Sequence, residues 1–345
     1  MKFLPLILLL ISVKLQCQEQ YIPRDINKIV IESVPVEGAS IRAIAVLPDS
    51  SAVFATSNGY IGKITFKKDL NLSDQVLYDT IIPHFRSIAV NNGNIFALSV
   101  ANPALLYKYN GKNFELVYKE SHPDVFYDAM TFIDNKIGIA MGDPVDGCLS
   151  IIMTADAGEH WKKLPCSQLP KIKEGEAAFA ASNSNIAVAD DHIWLVTGGK
   201  YARVFHSPDK GNTWGVVNTP IIQGEAMTGI YSIDFQDSTN GIIFGGNWND
   251  KQNNKANKAT THDGGSTWQL IADGEGPGYR SCVQYVPDTN GKEIFAVGTE
   301  GISFSNDGGK TWKKISDDGY YTIRLVNKNL AWLAGNEKIG KMTFK

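Results

Sequence analysis

Arg42, Arg86 and Arg280, one aspartate, Asp128, and two tyrosines, Tyr231 and Tyr321, hold the second position of a short segment that recurs along the chain. At the fourth occurrence that position is Ala177, with Glu176 beside it. Arginine pairs bidentately with carboxylates, so three brought to one place could hold an anionic ligand. A carboxyl acid, a phenol nucleophile and an assisting glutamate are also the groups of a glycoside-cleaving site, which would make Asp128, Glu176, Tyr231 and Tyr321 the reacting set. The opposite reading is equally physical: Arg and Asp can pair with each other and clamp neighbouring elements together. Metal chemistry has less support. Asp143 and Asp146 share a short loop but match no full calcium ligand set, and the six His residues lack ligand spacing. No G-x-S-x-G, H-E-x-x-H, Walker or dinucleotide motif occurs, so neither a metal nor a cofactor is expected.

These residues become neighbours only if the segments carrying them are structurally equivalent. Seven segments share a bulky residue, a variable one, a small one and then alternating apolar residues: IRAIAV, FRSIAV, YDAMTF, EAAFAA, IYSIDF, YRSCVQ and YYTIRL. Their second positions are 42, 86, 128, 177, 231, 280 and 321, giving intervals of 44, 42, 49, 54, 49 and 41. A Gly- or Ala-rich apolar segment follows each, and third and fourth strands follow in most. Four short strands in about 40–50 residues is the spacing of a β-propeller blade. The period-two alternation excludes helices. The seventh unit ends at Lys345 after its third strand, and Ile26–Val34 before the first unit can supply the missing outer strand. The fold expected is all-β: a seven-bladed β-propeller with four-stranded blades, closed by its N-terminal strand.

In such a wheel the first residues of the innermost strands ring one mouth of the central channel. The loops from second to third strands share that face. They add Arg203, in GGKYAR of the fourth unit, and Trp248, in the long Asn-rich loop of the fifth. The ligand set expected at the mouth is therefore Arg42, Arg86, Asp128, Glu176, Arg203, Tyr231, Trp248, Arg280 and Tyr321, binding a protein partner or a carbohydrate or anionic ligand.

At the turn from third to fourth strand, four units read TADAGEHW, SPDKGNTW, THDGGSTW and SNDGGKTW. The aspartates (Asp156, Asp209, Asp263, Asp307) can accept backbone N–H bonds within the turn, and the tryptophans (Trp161, Trp214, Trp268, Trp312) bury large rings. Both are structural. This pattern resembles the Asp-box, or BNR repeat, of sialidases and other propellers. The seven-unit layout with its DGG-x-TW turns resembles secreted Asp-box propellers related to the photosystem II stability/assembly factors. That resemblance runs from about Ile26 to the end. It implies a binding or assembly scaffold with an arginine-bearing face, to which Arg42, Arg86 and Arg280 could correspond in a chain holding only 6 Arg. A sialidase-like hydrolase is the second expectation, set against a missing F/Y-R-I-P motif and a seventh blade.

The 345 residues carry 33 basic and 36 acidic side chains, which excludes the broad basic surface of a nucleic-acid binder. Lys2 and the apolar run Phe3–Val13 read as an export signal over residues 1–18, too short for a membrane span, with Cys17 offering a lipid-anchored alternative. Residues 19–345 then form one domain, exported to the periplasm, cell surface or medium and acting as a monomer. Cys148 and Cys166 are equidistant from a turn near Ala157, so they either form a cross-strand disulfide or remain two small buried thiols. Cys282 is assigned to the core.

Overall fold

Small alternating segments must pair edge to edge to satisfy their backbones, and here they do so as a wheel. The structure is a computed structural model describing residues 21–345; the expected signal segment and Cys17 lie outside them. Seven β-sheets surround one axis. The innermost strands are Ala43–Val46, Phe85–Asn91, Tyr127–Phe132, Ile186–Ala189, Thr228–Phe235, Cys282–Tyr285 and Thr322–Asn327. Each blade runs antiparallel outward from its inner strand. Apolar side chains interlock between adjacent blades, as where Phe96 and Leu106 of blade two meet Met130, Ile152 and Trp161 of blade three.

Ring closure follows the sequence expectation. Ile29–Ser40 is the outer strand of blade seven, pairing with Asn336–Phe344 from Ile29 opposite Phe344 to Ser40 opposite Asn336. A clasp ahead of that strand holds the seam. The backbone N–H and guanidinium of Arg24 and the Tyr21 hydroxyl all converge on Glu293, whose side chain is fully buried in blade six.

Blade four departs from expectation. The Glu176–Ala177 segment is not its inner strand; that place belongs to Ile186–Ala189, which pairs with His192–Val196. Glu176 and Ala177 pair instead with Gly199 and Gly198, and Gly198 also pairs with Gly229 of blade five. The cause is steric. A Cβ on Gly198 would lie 2.3 Å from the Phe179 ring and 2.9 Å from the Thr228 carbonyl oxygen. Only glycine lets the two chains approach so closely, and the intervening residues 178–185 are thereby turned into the channel.

The four S/T-x-D turns lie together on the face where inner strands end. In three of them the Asp accepts both a backbone N–H and a Thr hydroxyl, as Asp263 does from Thr267 at 2.9 and 2.6 Å. Each Trp indole donates to the Gly carbonyl three residues back. The Thr267 hydroxyl and N–H hold Asp263 down at about 2. Cys148 and Cys166 are joined by a disulfide with Cα atoms 5.4 Å apart. Cys166 lies beyond the short pairing of Lys162–Lys163, in the 3-10 turn Cys166–Gln168.

Arg24→Ala would leave the Glu293 carboxylate buried with two of its donors removed. We expect a loss of about 3 kcal/mol in chemical denaturation; a change within ±0.5 kcal/mol would show that the clasp does not secure the seam.

Candidate functional site

Residues 178–185 pass through the channel and bond to every other blade. Arg86 of blade two donates to the Ala180 carbonyl at 3.3 Å, and Arg42 of blade one to that of Ala181 at 3.2 Å. The Ser182 carbonyl accepts from Thr322 and Arg324 of blade seven at 3.0 and 3.1 Å, and Arg324 reaches Asn183 at 2.7 Å. Asn183 donates to Ile88 and accepts from the Met130 N–H of blade three, both at 2.9 Å. Ser182 donates to Ser281 of blade six, and Ser184 to Ser232 of blade five. Its small side chains (Ala180, Ala181, Ser182, Ser184) fit a width that bulky residues would overfill.

In blades two, three and five the pairing register steps past Arg86, Asp128 and Tyr231. A bulge leaves its residue outside the ladder and re-aims its side chain. Above the plug this produces a pocket of about 210 Å³ lined by Arg42, Arg86, Phe126, residues 178–181, Met227, Tyr231, Trp248 and Tyr279. The aromatic wall is interlocked: Phe179 stacks on Tyr231 at 4.0 Å, while Tyr279 meets Tyr231 and Trp248 edge-on at 4.7 and 5.4 Å. Tyr321 lies flat under the Arg42 guanidinium, 3.9 Å from ring centroid to carbon.

The electrostatics are unbalanced. Among the described residues, the arginine ion pairs are Arg24–Glu293 and Arg203–Glu176; Arg42 and Arg86 have none. Burial lowers the pKa of both, and the charge of Arg42 lowers Arg86 further. His84, which accepts from Arg86 Nε at 3.3 Å, is pulled to about 4 by burial and by both guanidinium groups. Beneath Arg86, Asp128 is wholly buried, and neither of its carboxyl oxygens has a hydrogen-bond partner. Burial, then neighbouring Asp143, push Asp128 well above the usual carboxyl range, with Arg86 opposing. Asp143 accepts the Ala178 N–H at 2.7 Å, yet burial still raises it to about 6.

The residues anticipated for the mouth therefore divide. Arg42, Arg86, Tyr231 and Trp248 line the pocket, Tyr321 supports Arg42, and Asp128 lies below. Arg280 is buried with its guanidinium turned outward to Ser303 on the third strand of blade six. Glu176 and Arg203 are bound to each other in a buried pair, Nε to Oε1 at 2.9 Å, with Thr197 also donating to Glu176. Neither is at the mouth, because Glu176 follows the displaced strand of blade four. Phe126, Phe179, Met227 and Tyr279 went unnoticed. Tyr279 is the bulky first residue of its repeat, and Phe179 interrupts a run of small residues; nothing in the sequence marks Phe126 or Met227.

On the acid side, folding raises the pKa of Asp143 from 3.8 to about 6, and burial raises Asp234 to about 7. With Asp128 displaced the same way, the native state holds more protons than the unfolded chain above pH 4. Stability is therefore greatest below that pH in respect of these groups and falls as pH rises through their folded values. Asp128→Asn should flatten this decline between pH 4 and 7, leaving a residue from Asp143 and Asp234. An unchanged slope of unfolding free energy against pH would show that Asp128 is not carrying a native-state proton.

No protein-family model and no curated protein matches the chain. Solved structures do match in shape. YCF48 bound to D1 peptide superposes with a TM-score of 0.65 at 13% identity, covering 91% of this chain and 96% of that one. YCF48 from Cyanidioschyzon merolae gives 0.60 at 14%, covering 91% and 98%. Virginiamycin B lyase from Staphylococcus aureus gives 0.67 at 12%, covering 92% and 99%. At these identities the likeness extends to the fold alone: this chain is a seven-bladed β-propeller, the fold that YCF48 and virginiamycin B lyase share.

Proposed function

We propose that the protein is an exported binding scaffold that captures a protein partner through a carboxylate-bearing segment seated on Arg42 and Arg86. The observation that carries this reading is the pair of adjacent, half-buried guanidinium groups without an ion-pair partner, opening into an aromatic-walled pocket. Carbonyl caps satisfy some of their donors but not their charge, and a ligand carboxylate supplies what is missing. The aromatic wall adds apolar contact beside the charge. A protein segment is the favoured ligand because YCF48, of similar fold, was solved with a peptide bound. The Cys148–Cys166 disulfide supports an oxidising compartment. Sialidase-type hydrolysis has no comparable support: Asp128 is out of solvent, and Glu176 is engaged by Arg203.

The test is a set of labelled peptides, each made with a free C-terminal carboxylate and as its amide, read by fluorescence anisotropy. The acid forms should bind at least tenfold tighter than the amides. Trp248→Ala, which removes no hydrogen bond of the plug, should weaken them severalfold with little change in melting temperature. Equal binding of acids and amides would defeat the proposal, as would full affinity in Arg86→Ala.

A further inference from the structure

Anion capture by Arg42 and Arg86 leaves one feature without a role: a wholly buried carboxyl group directly below them, with no donor to either oxygen. Asp128 occupies a bulge of blade three, the position that Arg86 occupies in blade two. A buried carboxylate with no hydrogen bond is costly, and a neutral carboxylic acid is much less so. The main influence favouring the ionised form is the charge of Arg86, with the Asp143 backbone N–H a smaller one. The pocket anion would engage the same guanidinium from the other side. The two negative groups therefore compete for one cation.

We infer that Asp128 is a proton-linked positioning residue for the anion site: at alkaline pH, where it is ionised in the empty pocket, its charge is balanced by Arg86, and it takes a proton from solvent when a ligand carboxylate engages that arginine. This rests on the anion-binding reading above. The proton balance is one proton gained by the Asp128 carboxylate as one ligand carboxylate binds, so the buried cluster keeps its net charge. The sign follows from the same competition. A ligand that neutralises Arg86 weakens the main influence favouring ionised Asp128, so binding raises its proton affinity and, reciprocally, acidification strengthens binding.

The groups that face this cluster are Arg86 and His84 from blade two and its approach, Arg42 from blade one, Asp143 from blade three, Tyr321 from blade seven and Tyr279 from blade six. The plug contributes no titratable side chain over residues 178–181. His84, at about 4, is neutral above pH 5, and burial keeps Tyr279 protonated well above 10. Asp143 titrates near 6 and needs its own control.

The probe is N-acetyl-phenylalanine, whose α-carboxyl group is ionised throughout pH 5–9, with N-acetyl-phenylalaninamide as the neutral comparison, both followed by NMR titration. Wild-type affinity for the acid should rise at least threefold per unit of falling pH over part of that range, approaching tenfold for one linked proton. Asp128→Asn should bind with an affinity independent of pH above 7, whereas Asp143→Asn should move the dependence to lower pH without abolishing it. Calorimetry of the wild type in two buffers of different ionisation enthalpy reads the proton directly and needs no variant. Binding with a flat pH profile and no proton uptake would overturn the linkage while leaving the anion site intact. Failure of the acid to bind at any pH, or equal binding of the amide, would overturn the anion site and the linkage with it.

Discussion

One strand's displacement governs this structure. Where six blades bring an inner strand straight down the channel wall, the fourth sends residues 178–185 across it. The carbonyls and small polar side chains of that segment are then held by all six other blades. A propeller gains its rigidity from contacts between neighbours, and such contacts are local around the ring. A segment that touches every inner strand adds a second, central set of constraints. It also divides the channel, leaving a small pocket on the arginine face and a cavity of about 630 Å³ on the other, where Asp234 and Arg324 are among the lining residues.

The plug explains why arginines stand at the mouth. Backbone carbonyls within a channel cannot join a sheet ladder and must be satisfied by side chains. Arginine suits this task because its several N–H groups can cap carbonyls while others remain free. The clamp and the proposed ligand site are therefore one arrangement. Arg42 and Arg86 close the mechanical hub with some donors and present the rest, with their charge, to the pocket. Arg280 shows the contrast. It occupies the corresponding sequence position in blade six, where the plug asks Ser182 to donate to the Ser281 carbonyl, so no guanidinium is required there. Its side chain turns outward, and burial lowers it to about 10.

Much of the wheel was legible because propeller blades repeat their physics. The bulky-variable-small pattern marks the start of six inner strands, and the unfinished seventh unit announces the closing strand Ile29–Ser40. The EAAFAA copy misled because periodicity reports alternation and not destination. Its alanines alternate with nothing, and the determinant of their path is remote: Gly198 and Gly229, which draw Glu176–Ala177 against blade five. Glu176 was lost to the mouth for that reason, and with it Arg203, whose partner it is. Of the pocket, the charged half could be read because Arg42 and Arg86 break an apolar pattern. The aromatic half could not, since Tyr279 and Phe179 look like core residues until the fold opens a gap beside them.

This economy constrains how the site can change. Replacing a plug residue with a larger one would strain contacts to several blades at once, because a packed interior does not yield continuously. Altering Arg42 or Arg86 would release a carbonyl of the hub as well as the proposed ligand contact. The tolerant positions are those that line the pocket without a hydrogen bond to the plug, Trp248 and Met227, both carried on the long loops of blade five and its approach. Specificity can vary there at little structural cost, while the two guanidinium groups stay fixed by the scaffold that depends on them. This geometry allows the aromatic rim to change while the two guanidinium groups keep their place on the plug.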